Sequence, residues 1–503
     1  MFIDIQFDED WKQDFQHRLH QEGPWASFEL YQLAYQAACE QLVPSFTGLK
    51  APEHLYHIQP YDYQLETARR VVEEMNGKAI LADEVGLGKT IEAGLILKEY
   101  MIRGLVKKAL ILAPASLVNQ WSRELNQTFS IPAVVQRKAP VWEHADVAIA
   151  SLDTAKRPPH NEIIQSIDYD CLIIDEAHKL KNDQTKNAAF VRSLQKKFCL
   201  LLTATPVQNR IEELYHLITI LKPGWLGTKA DFKKRYESGG DVQRLIHQVM
   251  IRNRRDETPV NWTKRNVINQ TVTLSEEEEH LYESLCTLAE HAALPGFSRT
   301  LLKRELASSK EAAFLTLKEM DLPAEGLNAV FKKMQACSRN SKAEALLEFV
   351  QQEDEKVLVF TEYRATQLYL QWFLKQHGIP SVPYRGGFKR GKKDWMMQLF
   401  QGKVPVMIAT EAGGEGLNLQ FCHRLVNYDL PWNPMRLEQR IGRLHRHGQT
   451  KDVKVLNLAA EATIEADILA RLQQKIGMFE NVIGRIDAIL GQSEDTKEQS
   501  YGR

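Results

Sequence analysis

Short apolar runs that stop at a cluster of small or polar residues limit most tightly how this chain can fold. A first block holds Ala79 to Ala82, then ALILAP (109–114), AVVQ (133–136), VAIAS (147–151), CLIID (171–175) and CLLLTAT (199–205). A second block holds VLVFT (357–361), a short candidate around Ser381 to Tyr384, VMIAT (406–410), RLVNYD (424–429) and VKVLNL (453–458). Strands that read as continuous apolar runs are buried on both faces, which calls for a parallel sheet covered by helices on each side. The expected fold class is therefore α/β, with two tandem parallel-sheet lobes. Between Gly227 and about Arg339 the strand rhythm stops and amphipathic helical patterns take over, so a helical insertion is expected there.

The stretch AILADEVGLGKTIEAGLILKEY, Ala79 to Tyr100, couples a strand to a glycine-bearing turn and then to a helix. The helix is expected to open near Lys89 and to close just before Gly104. Such a turn presents backbone N–H groups and a helix N-terminus to a phosphate, and a lysine adds a full positive charge. Lys89 is expected at the β/γ-phosphates and the Thr90 hydroxyl on Mg²⁺, with Asp83, Glu84, Val85, Gly86, Leu87 and Gly88 forming the cradle. Asp83 stands where the strict GxxxxGK[ST] pattern has its first glycine. Upstream, PYDYQ (60–64) offers Gln64, whose amide can read an adenine edge or simply lie at the surface.

DCLIIDEAH, Asp170 to His178, supplies the second half of a nucleotide site. A strand ending in two carboxylates delivers Asp175 to the carboxyl edge of the sheet, beside the loop of the neighbouring strand, to hold Mg²⁺. Glu176 is then placed to orient or deprotonate the attacking water. The pairing of this motif with GLGKT marks a P-loop NTPase. The other strand ends (Pro114 to Ser116, Ser151 to Asp153, Thr203 to Pro206) are expected along the same rim, where ligands bind in such sheets.

With 503 residues there is room for two to four domains. The formal net charge of −1 means that a polyanion must find a local basic patch. The acidic opening MFIDIQFDEDW lacks the features of a signal peptide, and no apolar run reaches the length of a membrane span. The six cysteines form no CxxC pair, and Cys171 and Cys199 read as small core residues; a reducing cytoplasm, and not zinc or disulfides, is expected.

PYDYQ, ADEVGLGKTIEAG, ILAPASLVNQW, IASLDTAKR, IIDEAHKLKN, LLTATPVQN, ELYHLITILKPG, VLVFTEYRAT, ATEAGGEGLNLQ and QRIGRLHRHGQ stand in the order of the helicase superfamily-two motifs. In them the chain resembles the SWI/SNF-like ATPases, and within these the bacterial RapA-like branch, over roughly Tyr61 to Ala470. DEVGLGKTIEAG and Glu415, where eukaryotic remodellers usually carry an apolar residue, are the features most similar to that branch. The resemblance implies two RecA-like lobes that close on ATP and Mg²⁺ and open after hydrolysis. It implies that Arg446 is an arginine finger, with Arg443 its companion and Gln439 one turn before on the same helical face. It also implies that Ser116, Asp153, Thr361 and Thr410 lie on a DNA side, with His178, Thr203 and Gly414 coupling nucleotide state to it.

The basic stretch YRGGFKRGKKDW (384–395), with Lys389, Arg390, Lys392 and Lys393, reads as a nucleic-acid backbone contact or a solvated loop. VMIRNRRDE (249–257) resembles an arginine-rich motif of the interlobe protrusion, making an interlobe or DNA contact. SEEE (275–278) matches a helix capping box. The expected organisation is an N-terminal helical accessory segment packed on the motor (1–56), lobe 1 (57–226), a helical protrusion and linker (227–340), lobe 2 (341–460), brace helices (461–491) and a disordered tail (492–503). The expected activity is DNA-stimulated ATP hydrolysis driving translocation on double-stranded DNA, in the cytoplasm, by a monomer. A strand-separating DEAH-type helicase and an RNA-polymerase-associated regulatory ATPase are the alternatives.

Overall fold

A computed structural model describes residues 9–21, 23, 25–41, 48–137, 140–204, 206, 212–237, 242–259, 262–292, 294–411, 419–483 and 489–490. Gly414, Glu415, Thr205 and the 492–503 tail lie outside the described residues.

Two parallel sheets form. The first contains β1 (Lys78–Leu81), β2 (Ala109–Ala113), β3 (Ala133–Val135), β4 (Val147–Ser151), β5 (Tyr169–Asp175), β6 (Lys196–Leu202) and β7 (Met250–Ile251), in the order β3-β4-β2-β5-β6-β1-β7. The second contains β8 (Arg265–Val272), β9 (Val357–Thr361), β10 (Ser381–Tyr384), β11 (Val406–Thr410), β12 (Arg424–Asn427) and β13 (Val453–Ala460), in the order β10-β11-β9-β12-β13-β8.

Alternation along each strand builds two cores per sheet. Ile80, Leu110, Leu112, Leu172, Ile174 and Leu201 enter one cluster, while Ala79, Leu81, Ile111, Cys171, Ile173 and Leu200 enter the cluster on the other face. Leu358 and Phe360 of β9 face one core of the second lobe, and Val357 and Val359 face the other. Cys171 and Cys199 are fully buried members of the first lobe's cores.

The helix Lys89–Ile102 lies so close to its neighbours that a methyl group on Gly94 would stand 2.3 Å from the buried Phe129 ring. Gly94→Ala is therefore expected to destabilise the first lobe by about 1–3 kcal/mol. Thermal unfolding checks this: an unchanged midpoint would mean that Phe129 moves aside freely.

Three expectations change. The region 227–340 is not wholly helical: β7 extends the first sheet beside β1, and β8 pairs with β13 along eight residues of the second. The arginine-rich stretch thus leaves a sheet edge and belongs to no helical protrusion. Helices do form between β8 and β9, and the 276–291 helix opens on the expected box, with the Ser275 N–H donating to Glu278 at 2.9 Å. The two N-terminal helices, Glu9–His20 and Phe28–Gln41, leave Phe15, Leu19, Phe28, Leu30, Leu33 and Tyr35 exposed, so these side chains are not buried against the lobes. What does pack is the segment after them: Ala51 is buried, and Glu99 accepts the N–H groups of Lys50 and Ala51 at 2.8 and 2.6 Å. Finally, β6 intervenes between β1 and β5, so Asp175 is one strand removed from the P-loop strand. The helix Ile464–Ile483 packs Ile468 and Leu472 into the second lobe's core.

Candidate active site

The turn after β1 runs straight into the helix Lys89–Ile102, with Gly88 at its N-cap in a left-handed conformation (φ 91°). Lys89 donates to the carbonyls of Asp83 and Glu84 at 2.7 and 3.1 Å, which holds its ammonium over the loop. Burial lowers its pKa, opposed by Asp83, Glu176, Glu92 and Asp175. Asp83, in the place of a glycine, anchors the loop: its carboxylate accepts the Asn253 backbone N–H at 2.8 Å and the Asn253 amide at 3.0 Å. Asn253 Nδ2 also donates to Thr67 at 2.8 Å. Beneath them, burial and Asp83 push the Glu92 carboxyl well above the usual range.

Gln64 is buried. Its Oε1 accepts the Tyr61 N–H at 3.1 Å and its Nε2 donates to the Leu87 carbonyl at 3.0 Å. The amide thus grips the phosphate loop as well as its own helix start. Tyr63 donates to the same Leu87 carbonyl at 2.6 Å.

Asp175 ends β5, and the Trp121 indole N–H donates to its Oδ2 at 2.9 Å. Glu176 follows in a left-handed conformation (φ 51°), which turns its side chain so that Oε2 lies 3.0 Å from His178 Nδ1. Burial and the adjacent Glu176 charge raise the Asp175 pKa. Burial would raise Glu176 too, but His178, Lys89 and Arg443 hold it well below the carboxylate range. Asp175 at the end of β5 and the Thr90 hydroxyl in the first turn of the Lys89–Ile102 helix are hard oxygen donors of the kind that suits Mg²⁺. Thr203 is buried, its N–H donating to the Leu81 carbonyl at 3.0 Å, which ties the end of β6 to the start of the loop.

The second lobe meets this loop directly. A methyl group on Gly86 would stand 3.4 Å from both Arg446 Cγ and the His445 carbonyl. One on Gly442 would stand 2.4 Å from Val85 Cγ1, closer than any side chain tolerates. That approach also changes the expected helix. Pro434–Ile441 is helical, with Gln439 half-buried on it, but it ends at Gly442, and Arg443 and Arg446 lie on the turns that follow. Arg446 Nε donates back to the Gly442 carbonyl at 2.7 Å. Burial, with Arg443 nearby, lowers its pKa to about 10. The turns, and not one helical face, bring Arg443 toward Glu176 and Arg446 over Gly86.

Arg255 and Glu438 belong to the same junction and were not among the expected site residues. Arg255 donates to the Val85 carbonyl and approaches Glu438 Oε1 at 3.4 Å. Arg265 grips Glu438 with a fork at 2.6 and 2.9 Å. Burial would raise Glu438, but Arg265 and Arg255 keep it low. The only signal in the sequence was the arginine density of 249–257.

On the other side of Asp175 a cleft of about 410 Å³ is lined by Ser116, Asp153 and Asp175 of the first lobe and by Gly387 and Lys393 of the second. Asp153 is paired with Lys156 at 2.6 Å. Lys389 and Lys392 are exposed nearby in sequence, Lys389 capping the helix Arg390–Gln401 that Arg390 opens; the basic stretch is thus half helix. Thr361 and Thr410 are not presented in the same way. Thr361 is fully buried and donates to Asp429 at 2.6 Å, and Thr410 is buried at the end of β11, so neither side chain faces a ligand as placed. Thr361 orders the loop after β9 instead.

Two parallel-sheet lobes, one carrying a phosphate loop and paired carboxylates and the other an arginine turn, define a two-lobed P-loop NTPase of helicase architecture. The SNF2-related domain matches residues 63–342 and the helicase conserved C-terminal domain residues 341–448. The chain belongs to the SNF2-related family of ATP-dependent helicases and translocases. It is 53% identical to the uncharacterized ATP-dependent helicase YqhH of Bacillus subtilis, over 97% of this chain and 91% of that one. It is 27% identical to the RNA polymerase-associated protein RapA of Haemophilus influenzae over 87% of this chain, spanning 49% of that relative's length. A solved structure, the SWI2/SNF2 ATPase core of Sulfolobus solfataricus in complex with double-stranded DNA, is similar at a TM-score of 0.42 and 21% identity, covering 87% of this chain and 95% of that one. Among the described residues no helix is long and apolar enough to cross a membrane.

Proposed function

We propose that the chain is a DNA-stimulated ATPase that moves along double-stranded DNA and displaces or remodels what is bound there. The observation that carries this reading is the direct apposition of the two lobes: Arg446 over Gly86, and Gly442 against Val85. A nucleotide held by the first lobe would then meet arginines of the second.

In the proposed reaction water attacks the γ-phosphorus, the bond to the β-phosphate oxygen breaks, and ADP and phosphate leave. Lys89 and the loop N–H groups bind the β/γ-phosphates. Mg²⁺, when bound, neutralises charge on the phosphate oxygens. Thr90 and Asp175 would hold it. Glu176, kept ionised by His178, Lys89 and Arg443, accepts a hydrogen bond from the attacking water. From there it orients that water or takes its proton. Arg443 and Arg446 meet the negative charge of the transition state. Gln64 supports the loop through Leu87, and to read an adenine edge its amide would have to exchange the Tyr61 and Leu87 partners it holds.

The cleft between Ser116, Asp153 and Lys393 would take the DNA backbone, and Lys389, Arg390 and Lys392, close to Lys393 in sequence, would add to the contact. Phosphate contacts carry no base information, so movement is largely sequence-blind. One chain holds both halves of the site, so a monomer suffices, acting on DNA in the cytoplasm.

The test is DNA affinity against salt, measured together with ATP turnover with and without duplex DNA. Affinity is expected to fall steeply on a log–log plot, and neutralising Lys389, Arg390, Lys392 and Lys393 to flatten the slope by about 0.9 for each DNA phosphate that is no longer neutralised. A flat wild-type slope, or turnover indifferent to DNA, would contradict the reading. A second reading, action on a polymerase-bound complex, is favoured by the similarity to a protein named as RNA polymerase-associated. Co-purification with RNA polymerase on DNA separates the two.

A further inference from the structure

The connector between the two sheets, residues 252–264, carries more charge than a tether requires. It leaves β7 at the edge of the first sheet and enters β8 at the edge of the second. Arg255, at its start, reaches back to the phosphate loop: its backbone N–H donates to Glu84 at 3.1 Å and its guanidinium to the Val85 carbonyl. The same guanidinium reaches forward to Glu438, on the helix that ends in the arginine turn, at 3.4 Å, and stacks over Trp262 at 5.3 Å. At the other end of the connector Arg265 grips both oxygens of Glu438 and donates from Nε to His445 Nδ1 at 2.6 Å. His445 Nε2 lies 2.8 Å from the Thr263 carbonyl, so that nitrogen carries the proton and Nδ1 accepts. Arg255, Glu438 and His445 are all buried.

We propose that Arg255 and Glu438 are positioning residues that latch the arginine turn to the phosphate loop, so that the connector sets where Arg443 and Arg446 stand over the phosphates. Separation at the Arg255–Glu438 link leaves neither charge alone. Glu438 stays with Arg265 in the second lobe, and Arg255 stays with Glu84, 3.9 Å away, in the first. A buried charge without a partner is costly, so a network that can part at one link and remain paired on both sides opens and closes reversibly. The link at 3.4 Å is longer than the 2.6 Å pair with Arg265, and Arg255 is tied to the first lobe by the Val85 carbonyl and by its own N–H on Glu84, so the network parts between Arg255 and Glu438.

This inference rests on the ATPase reading, and the experiment separates the two. Full-length wild type, Lys89→Ala, Glu438→Gln, Arg255→Lys and the Glu438→Gln/Arg255→Lys double variant are compared for kcat and KM for ATP on duplex DNA. A fluorescent ATP analogue counts competent sites, and kcat is expressed per site. Glu438→Gln and Arg255→Lys are each expected to lower kcat by about 10²-fold, as a misplacement of about 1 Å does, with KM for ATP within threefold. The double variant is expected to lose less than the product of the two single losses, because the Arg255–Glu438 link is common to both, although Glu438→Gln also gives up the charge on the Arg265 pair. If wild type hydrolyses ATP, Lys89→Ala does not, and both single variants keep kcat within twofold, the latch is rejected and the ATPase reading stands. Multiplying effects in the double variant would also reject it. Should Glu438→Gln fail to fold, Arg255→Lys alone decides, since it keeps the charge and loses the fork. Wild type without turnover would overturn both.

Discussion

Arg446→Ala is expected to reduce ATP turnover by about 10³–10⁵-fold while leaving nucleotide affinity within a few-fold, the range over which an arginine acts on a phosphoryl transition state. The size follows from placement. Arg446 sits against Gly86 of the phosphate loop, its Nε held by the Gly442 carbonyl, in surroundings buried enough to lower its pKa. A charge waiting in a dry site spends nothing on reorganisation when the phosphoryl group develops its own. Affinity is expected to survive because Lys89 and the loop belong to the other lobe. Arg446→Lys is expected to rescue little, since an ammonium lacks the planar fork. Comparison of single-turnover rates with analogue binding checks this; a rate within tenfold of wild type would remove Arg446 from the reaction.

Glu176→Gln is the second large effect, with an expected loss of about 10²–10⁴ in kcat and retained binding of ATP and Mg²⁺. Asp175, not Glu176, is the expected metal ligand, and the Trp121 indole keeps its carboxylate in place. Glutamine preserves the shape of Glu176 but abolishes the anion that His178, Lys89 and Arg443 stabilise. The substitution also leaves in place the left-handed backbone at this position. Stalled complexes with ATP bound are therefore expected. Lys89→Ala is expected to differ by losing binding itself. Turnover near wild type in Glu176→Gln, with binding intact, would assign the water to another group.

The parts of the site that are legible in the sequence are those whose chemistry is local. A glycine turn must precede Lys89 and Thr90 if N–H groups are to converge, and two carboxylates must follow an apolar strand if they are to reach the rim. Continuous burial on both faces made β2, β4, β5, β9 and β11 readable to within a few residues. The missed strands lack that pattern. β7 is two residues long, and β8 is an edge strand with much of its length partly exposed. Its polar sequence RNVINQTV carries no continuous apolar run.

The Arg255–Glu438 pair was beyond reach for a different reason: its partners stand 183 positions apart, and only the pairing of β7 with β1 and of β8 with β13 brings them together. The helical face expected for Arg443 and Arg446 is absent because the helix stops at Ile441 with Gly442 as its C-cap, the point at which Val85 of the opposite lobe comes close. Glu9–His20 and Phe28–Gln41 are helices, but an apolar residue in a helix names no partner, and Phe15, Leu19, Phe28, Leu30, Leu33 and Tyr35 stand exposed. Thr361 shows the same limit: a threonine at a strand end looks available until Asp429 takes its hydroxyl.

The proposed mechanism places all of its chemistry in one cleft shared by two lobes of a single chain. Its most direct test is a crystal structure of the protein with Mg²⁺, ADP and beryllium fluoride. The predicted result places the Lys89 ammonium on the β-phosphate and the Arg446 guanidinium within hydrogen-bond distance of the fluoride group, in the same molecule. Nucleotide bound at the loop with Arg446 turned to solvent, or with its place taken by an arginine from a neighbouring chain, would contradict it.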